Sequence, residues 1–169
     1  MKAPEVDRAL LANAQAGDAF AMNILLERLD PYVQHICRGI AFADGPDAAQ
    51  MTLLAIFKSL RRLRDAAALP AWVTTIATRE AVRAARRRLP SSPGDSLEDC
   101  PSTARPEVAV EVKAVLAQLS PEHRAVLVLR EISDFDEAQI ADMLAVAPGT
   151  VKSRLFRAKA AFRNAWAAD

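Results

Sequence analysis

The chain has 169 residues, 51% hydrophobic and 25% charged, the balance of an ordinary globular protein. Five Gly and 5% aromatics argue against an all-β or collagen-like architecture, and no apolar run reaches the roughly 18 residues of a membrane span. The formal net charge is only +1, yet it is unevenly spread, with nine basic and three acidic side chains over 47–88 and five and one over 147–169. Two basic blocks of this kind suit two surfaces that meet a polyanion, or two solvated helix faces.

In chain order, the first half reads as four helices. Residues 4–15 place Val6, Leu10, Leu11 and Ala14 on one stripe. Residues 18–42 form a long amphipathic stretch, in which Pro31 is expected to open a new helix after Asp30. Asp44-Gly45-Pro46 predicts a turn, with Pro46 at a first helical position. Residues 47–63 carry Leu53, Leu54, Ile56, Phe57 and Leu60. Residues 70–88 hold Trp72, Val73, Ile76 and Val82 inside and end in Arg83, Arg86, Arg87 and Arg88.

The stretch 87–107 has four Pro, four Ser, one Gly and a cluster of acids with no helical or strand period. It reads as a linker, which divides the chain into 1–88, a linker over 89–106, and 107–169. The second half again reads as four helices. Residues 107–118 carry Val108, Val112 and Val115 at helical spacing, with Leu119 just beyond. Ser120-Pro121 caps an apolar helix to about residue 131. Asp136 with Gln139 forms a capping-box pair for a short helix ending near Leu144. After the turn Ala145-Val146-Ala147, Pro148 opens a last helix to about residue 165.

A short helix, a tight turn and a longer basic helix make the layout of a helix-turn-helix. At about 100° per residue, Leu155, Ala158 and Phe162 fall within about 40° of Val151 and form a buried stripe. Thr150, Ser153, Arg154 and Arg157 cluster opposite, flanked by Lys152 and Lys159. Such a face offers hydroxyls to phosphates and arginine forks to guanine edges in the major groove. In the first half, Trp72, Thr74, Thr75, Thr78, Arg79 and Arg83 share one helix. An aromatic with hydroxyls and guanidiniums suits unstacked nucleic acid, while a core tryptophan with a solvated basic helix end is the plainer alternative.

The chemistry of an enzyme is missing from the pattern. Cys37 reads as helix core and Cys100 as a linker thiol, and the pair makes neither a disulfide framework nor a CxxC metal site. His35 reads as a helix-surface residue and His123 as a first-turn residue. No catalytic group, metal or cofactor is expected. The first residues lack a signal-peptide layout, and a cytoplasmic location without membrane insertion is expected.

Taken together, LAQLSPEHRAVLVLREISDFDEAQIADMLAVAPGTVKSRLFRAKAAFR resembles conserved region 4 of the extracytoplasmic-function (ECF) sigma factors of RNA polymerase, in the sigma-70 family. GDAFAMNILLERLDPYVQHICRGI, PDAAQMTLLAIFKSLRRLR and LPAWVTTIATREAVRAARRR, in that order, resemble their region 2. The likeness runs over about residues 16–165. It implies an all-α fold of two small helical domains on a flexible linker, and binding to core RNA polymerase and promoter DNA. By the resemblance, Thr150, Lys152, Ser153, Arg154, Arg157 and Lys159 would face the −35 element. Arg64, Asp65, Trp72, Thr75, Arg79 and Arg83 would lie at the −10 element. Asp47, Gln50, Leu53, Leu54 and Phe57 would meet the polymerase clamp. An anti-sigma protein is a further partner that the resemblance suggests.

Two positions depart from the family pattern. Ala49 and Met51 stand where acids are usual in the clamp helix, which predicts weaker pairing with a basic partner. Arg79 stands where Asn is frequent, which changes the base edge that can be read. The acidic stretch with Asp95, Glu98 and Asp99 suits a path through a basic polymerase channel. Two other readings compete: a stand-alone helix-turn-helix regulator with a helical dimerisation domain, and a sigma-like regulatory protein that sequesters an anti-sigma factor without touching DNA.

Overall fold

The computed structural model describes residues 4–87 and 106–167, and every regular element among them is helical. Of the expected linker over 89–106, residues 89–105, with Cys100 and the acids Asp95, Glu98 and Asp99, lie outside the described residues, as does Arg88, while Pro106 already begins a helix.

Helix α1 spans Arg8–Ala16 and α2 spans Ala19–Ala41. Each starts where an aspartate in extended backbone captures free amides. Asp7 accepts from Ala9 N at 3.2 Å, which starts α1 later than the expected residue 4. Asp18 accepts from Phe20 N at 2.8 Å and Ala21 N at 3.0 Å. Between them Gly17 closes α1 at φ 101°, a left-handed conformation that glycine adopts without strain.

Pro31 does not open a new helix; it lies inside α2. The proline is on the exposed side, while Leu25, Leu29, Tyr32, Val33 and Ile36 are buried on the other. The apolar stripe outweighs the loss of one solvent-facing hydrogen bond.

A 3₁₀ turn, Phe42–Asp44, leads into α3, Gly45–Ser59, with Pro46 in its first turn as expected. A side chain at Gly45 would put its Cβ 2.7 Å from Arg38 Cα, so glycine here permits the close approach of α3 to α2. Helix α4, Leu69–Arg87, follows two 3₁₀ turns, Leu60–Arg62 and Ala66–Ala68. Gln15 fastens the first of them, donating to Leu60 O at 3.0 Å and Leu63 O at 2.7 Å. The core of this unit sets α2 against Ile56, Leu60, Val73, Ala77 and Ala81. The Tyr32 hydroxyl is satisfied inside it by Thr74 Oγ1 at 2.6 Å.

The second unit runs α5 (Pro106–Ala117), α6 (Pro121–Leu127), a π-helical turn over Val128–Ile132, α7 (Glu137–Leu144) and α8 (Pro148–Trp166). Ser120 caps α6 and the Asp136–Gln139 capping box opens α7, both as read from the sequence. Leu119, Leu129, Ile140, Met143, Val151, Leu155 and Ala158 fill its core. Phe162, expected in that stripe, instead stacks on Trp166 with ring centroids 5.9 Å apart. It sits one turn past Ala158, where a groove between α5 and α8 leaves it half-buried.

The two units touch through α6 and the π turn, which meet α2 and α4, and through α7, which packs on α4. Ala125 and Val128 belong to the core of the first unit, and a Cβ at Gly39 would stand 3.2 Å from Val128 Cγ2. Arg124, 8% exposed, lays its guanidinium 4.6 Å from the centre of the Phe42 ring. Burial pushes its pKa down to about 10, against the charge of Glu122, which raises it. Glu122 in turn pairs with Arg86 of α4.

Candidate nucleic-acid interface

Helix α7 ends at Ala145, which adopts φ 53° and returns its amide to Asp142 O at 3.2 Å, while Val146 N donates to Ala141 O at 3.0 Å. This left-handed cap turns the chain sharply before Pro148. Ala147 O then accepts from Thr150 N at 2.9 Å, the first bond of α8. Val151, Leu155 and Ala158 are buried, with Ile140 of α7 in the same cluster. That packing sets the orientation of the other face.

On that face Ser153 and Arg157 are exposed and Thr150 is half-exposed. Ser153 Oγ donates to Thr150 O at 3.0 Å, which leaves its lone pairs outward. Lys152 is also exposed on the flank. Lys159 is not part of this face; its ammonium reaches Glu131 of the π turn at 2.8 Å. Arg154 is half-buried and faces α4, where it lines a cleft shared with Arg79 and Arg83. Phe156, 72% exposed, lies on α8 beside this face and was not singled out from the sequence. Its helical angle, close to that of Ser153, was the available signal.

Along α4 the expected set separates. Arg79 and Arg83 are exposed, the latter paired with Glu80 at 3.0 Å. Thr75 is half-exposed and donates to Ala71 O at 2.8 Å. Thr74 and Thr78 are fully buried, off the exposed face of α4, although Thr78 borders the cleft between α4 and the second unit. Trp72 is half-buried against the first core, so it serves packing as well as surface. Arg64 and Asp65 are exposed before α4, with Asp65 capping the 3₁₀ turn through Ala67 N at 2.9 Å.

On α3, Asp47 and Gln50 are exposed, and Met51, Leu54 and Phe57 stand 48%, 41% and 54% exposed. Leu53 is half-buried and packs on the core. Ala49 is fully buried. An acid there would face the protein interior, so the absence of a carboxylate at 49 removes no charge from this surface. Met51 alone carries that departure.

Other titratable groups are poor candidates for chemistry. Cys37 is buried between Thr52 Oγ1 at 3.8 Å and Ala77 O at 3.7 Å, and burial pushes its thiol up to about 12. His35 is not a free surface residue: it is half-buried with both ring nitrogens unpartnered, and burial lowers its pKa. Among the described residues no group of three or more His, Cys, Asp or Glu could hold a metal, and no helix is long and apolar enough to cross a membrane.

Comparison with known proteins agrees with this geometry. The family profile "Sigma-70 region 2" matches residues 25–89, and "Sigma-70, region 4" matches residues 109–162. The chain is 34% identical over 160 residues to the ECF RNA polymerase sigma factor SigM of Mycobacterium tuberculosis, covering 91% of this chain and 81% of SigM. Among solved structures it resembles CnrH, in complex with the cytosolic domain of CnrY, with TM-score 0.68 and 25% identity over 98% of this chain and 99% of that one. The sigma factor RpoE of Bartonella quintana, solved with the anti-sigma factor NepR, shares the fold at TM-score 0.66 and 21% identity, covering 86% and 94% of the two chains. With both family regions in order on two helical units, this chain belongs to the ECF RNA polymerase sigma factors.

Proposed function

We propose that this chain binds core RNA polymerase in the cytoplasm and directs promoter-specific initiation by reading a −35 element with α8 and a −10 element with α4. The observation that carries the reading is the division of α8: Val151, Leu155 and Ala158 are locked in the core, while Thr150, Ser153 and Arg157 remain outward on a capped helix-turn-helix. Thr150 serves a phosphate, as does Ser153 once its hydroxyl turns away from Thr150 O, and Arg157 and Arg154 serve base edges in the duplex. The ring of Phe156 is an apolar partner for a thymine methyl.

Arg64, Trp72, Thr75, Arg79 and Arg83 engage the parted strand, where stacking and cations act together. The exposed Met51, Leu54 and Phe57, with Asp47 and Gln50, form the polymerase-binding face of α3. No group of the chain takes part in bond making; its work is positioning. Arg154 lines the same cleft as Arg79 and Arg83, so reaching two separate promoter elements requires the two units to part. The likeness to CnrH, which was solved with a protein partner, supports regulation by a second protein, for which an anti-sigma factor is the candidate.

Reconstituted run-off transcription with core polymerase and genomic fragments tests the proposal. The expected result is initiation at discrete sites only when both chain and core are present. A gel shift separates the competing regulator: tight operator binding by the chain alone, unaffected by core polymerase, overturns the sigma-factor reading.

A further inference from the structure

A cleft of about 550 Å³ lies between α4 and the second unit, lined by Arg79, Arg83, Arg86 and Arg87 on one side and Arg154 and Glu122 on the other. Five guanidiniums share it with one carboxylate. Arg86 takes that carboxylate, and Arg83 pairs with Glu80 on its own helix. Arg79, Arg87 and Arg154 make no ion pair among the described residues. Like charges held across a confined space repel, and Arg154 is half-buried, where water screens it less.

Thr78 adds an independent sign. It is fully buried, lines the same cleft, and its Oγ1 has no hydrogen-bond partner. Its neighbours Thr74 and Thr75 both return their hydroxyls to the carbonyl four residues back, to Pro70 O and Ala71 O. Thr78 does not, and a buried hydroxyl left unmatched is costly. The remaining wall is apolar, from Val82, Ala125, Leu144 and Val146. A small cavity with convergent polar groups on apolar walls has the character of a ligand site, and its volume falls within the usual range of about 300–1,000 Å³.

We propose that this cleft binds a small oligophosphate anion, held by Arg79, Arg87 and Arg154 with the Thr78 hydroxyl as donor, and that the bound anion pins the two units together. Arginine forks match phosphate oxygens two at a time, and an anion carrying several charges relieves the repulsion across the cleft. The binding does not depend on the promoter-reading assignment: a chain inactive in transcription can still bind, and an active one can fail to.

Calorimetry on the full chain with inorganic tripolyphosphate is the test. The expected result is saturable one-to-one binding, weakened about tenfold or more by Arg87→Ala or Arg154→Gln and severalfold by Thr78→Val. Lys58→Ala, which does not line the cleft, should leave it unchanged. Arg87 is exposed in the last turn of α4, so its variant should fold. Small-angle scattering should show a radius of gyration that is smaller or less salt-sensitive with the anion bound. No saturable heat below about 1 mM, several equivalent sites, parent-like affinity in the three cleft variants, or binding of single-stranded DNA alone overturns the proposal.

Discussion

In α1–α4 the large buried side chains come chiefly from one helix: Leu25, Leu29, Tyr32, Val33, Ile36 and Ile40 all lie on α2, which is wrapped by its neighbours. In α5–α8, among the described residues, only Leu129 and Ile140 are fully buried side chains larger than valine, beside Val115, Val126, Val128 and Val151. This second unit also lends Ala125 and Val128 to the first, while Ile132, Phe156 and Trp166 stay exposed. A unit that must offer one face to a groove, another to a neighbour and a third to solvent has little left for its own interior. Its stability therefore leans on the contact that α6 and α7 make with the first unit.

That asymmetry can be broken most strongly in the core. Leu25→Ala should cost about 2–5 kcal/mol, because it leaves a cavity in the best-packed helix. Ile140→Ala should cost a similar amount locally but melt the second unit first. Trp72 in α4 and Trp166 in α8 give each unit its own fluorescent reporter. In urea titrations of single-tryptophan variants, Leu25→Ala should shift both reporters and Ile140→Ala chiefly Trp166. Equal shifts of both reporters in both variants would show one cooperative unit and remove the distinction.

Next in size is the functional contrast between the two basic helices. Arg154→Ala and Arg157→Ala should each weaken duplex promoter contact by about 1–3 kcal/mol if each loses a base-reading fork. Arg79→Ala should act instead on the parted strand, lowering open-complex formation while duplex contact persists. Footprinting of the open complex, compared with filter binding of the duplex, reads the two separately. An Arg154/Arg157 double variant with unchanged transcription would remove α8 from the interface.

Within each unit the architecture was legible because local signals agree. Ser120-Pro121, Asp136 with Gln139, and the stripe of Val151, Leu155 and Ala158 are short-range patterns, and all three appear as read. What periodicity does not carry is competition between distant groups. Pro31 fails to break α2 because five neighbouring side chains are buried on the opposite face. Thr74 shares a helix with the exposed Thr75 and Arg79, but its hydroxyl lies in the core, where it bonds Tyr32. Arg154 shares a helical face with Arg157, yet it turns toward α4, where α7, Ala125 and Val128 seat the second unit against the first. Lys159 likewise follows Glu131, whose place depends on the π-helical turn.

The inter-unit contact itself is probed by size. At Gly39 an added Cβ would sit 3.2 Å from Val128 Cγ2, so Gly39→Ile must either push Val128 away or separate the units. Overpacking of this kind costs about 1–3 kcal/mol, offset in part by better helix propensity than glycine. Scattering should report a larger radius of gyration in the variant. An unchanged radius with unchanged stability would mean that the contact yields freely.

The smallest effect, and the one with a defined pH signature, belongs to the Arg86–Glu122 pair. Burial raises the Glu122 pKa, but its own backbone amide, the Arg86 hydrogen bond and charge, and the Ser120 hydroxyl together lower it below the ordinary 4.5. A carboxylate depressed in the folded state adds stability that is fully present above its unfolded value and is lost as pH falls through the folded one. Arg86 is 63% exposed in its side chain, so the pair contributes no more than about 0.2–1 kcal/mol. Glu122→Gln should therefore lower stability by about that amount at neutral pH, and the gap to the parent should close as pH falls below the ordinary carboxylate range and through the depressed Glu122 value. Added salt should narrow the same gap at pH 7. A gap that is constant across the pH series would assign the loss to packing at the α4–α6 contact rather than to charge, and the contact between the units would then rest on Val128, Ala125, the Arg124–Phe42 contact and the packing of α7 on α4.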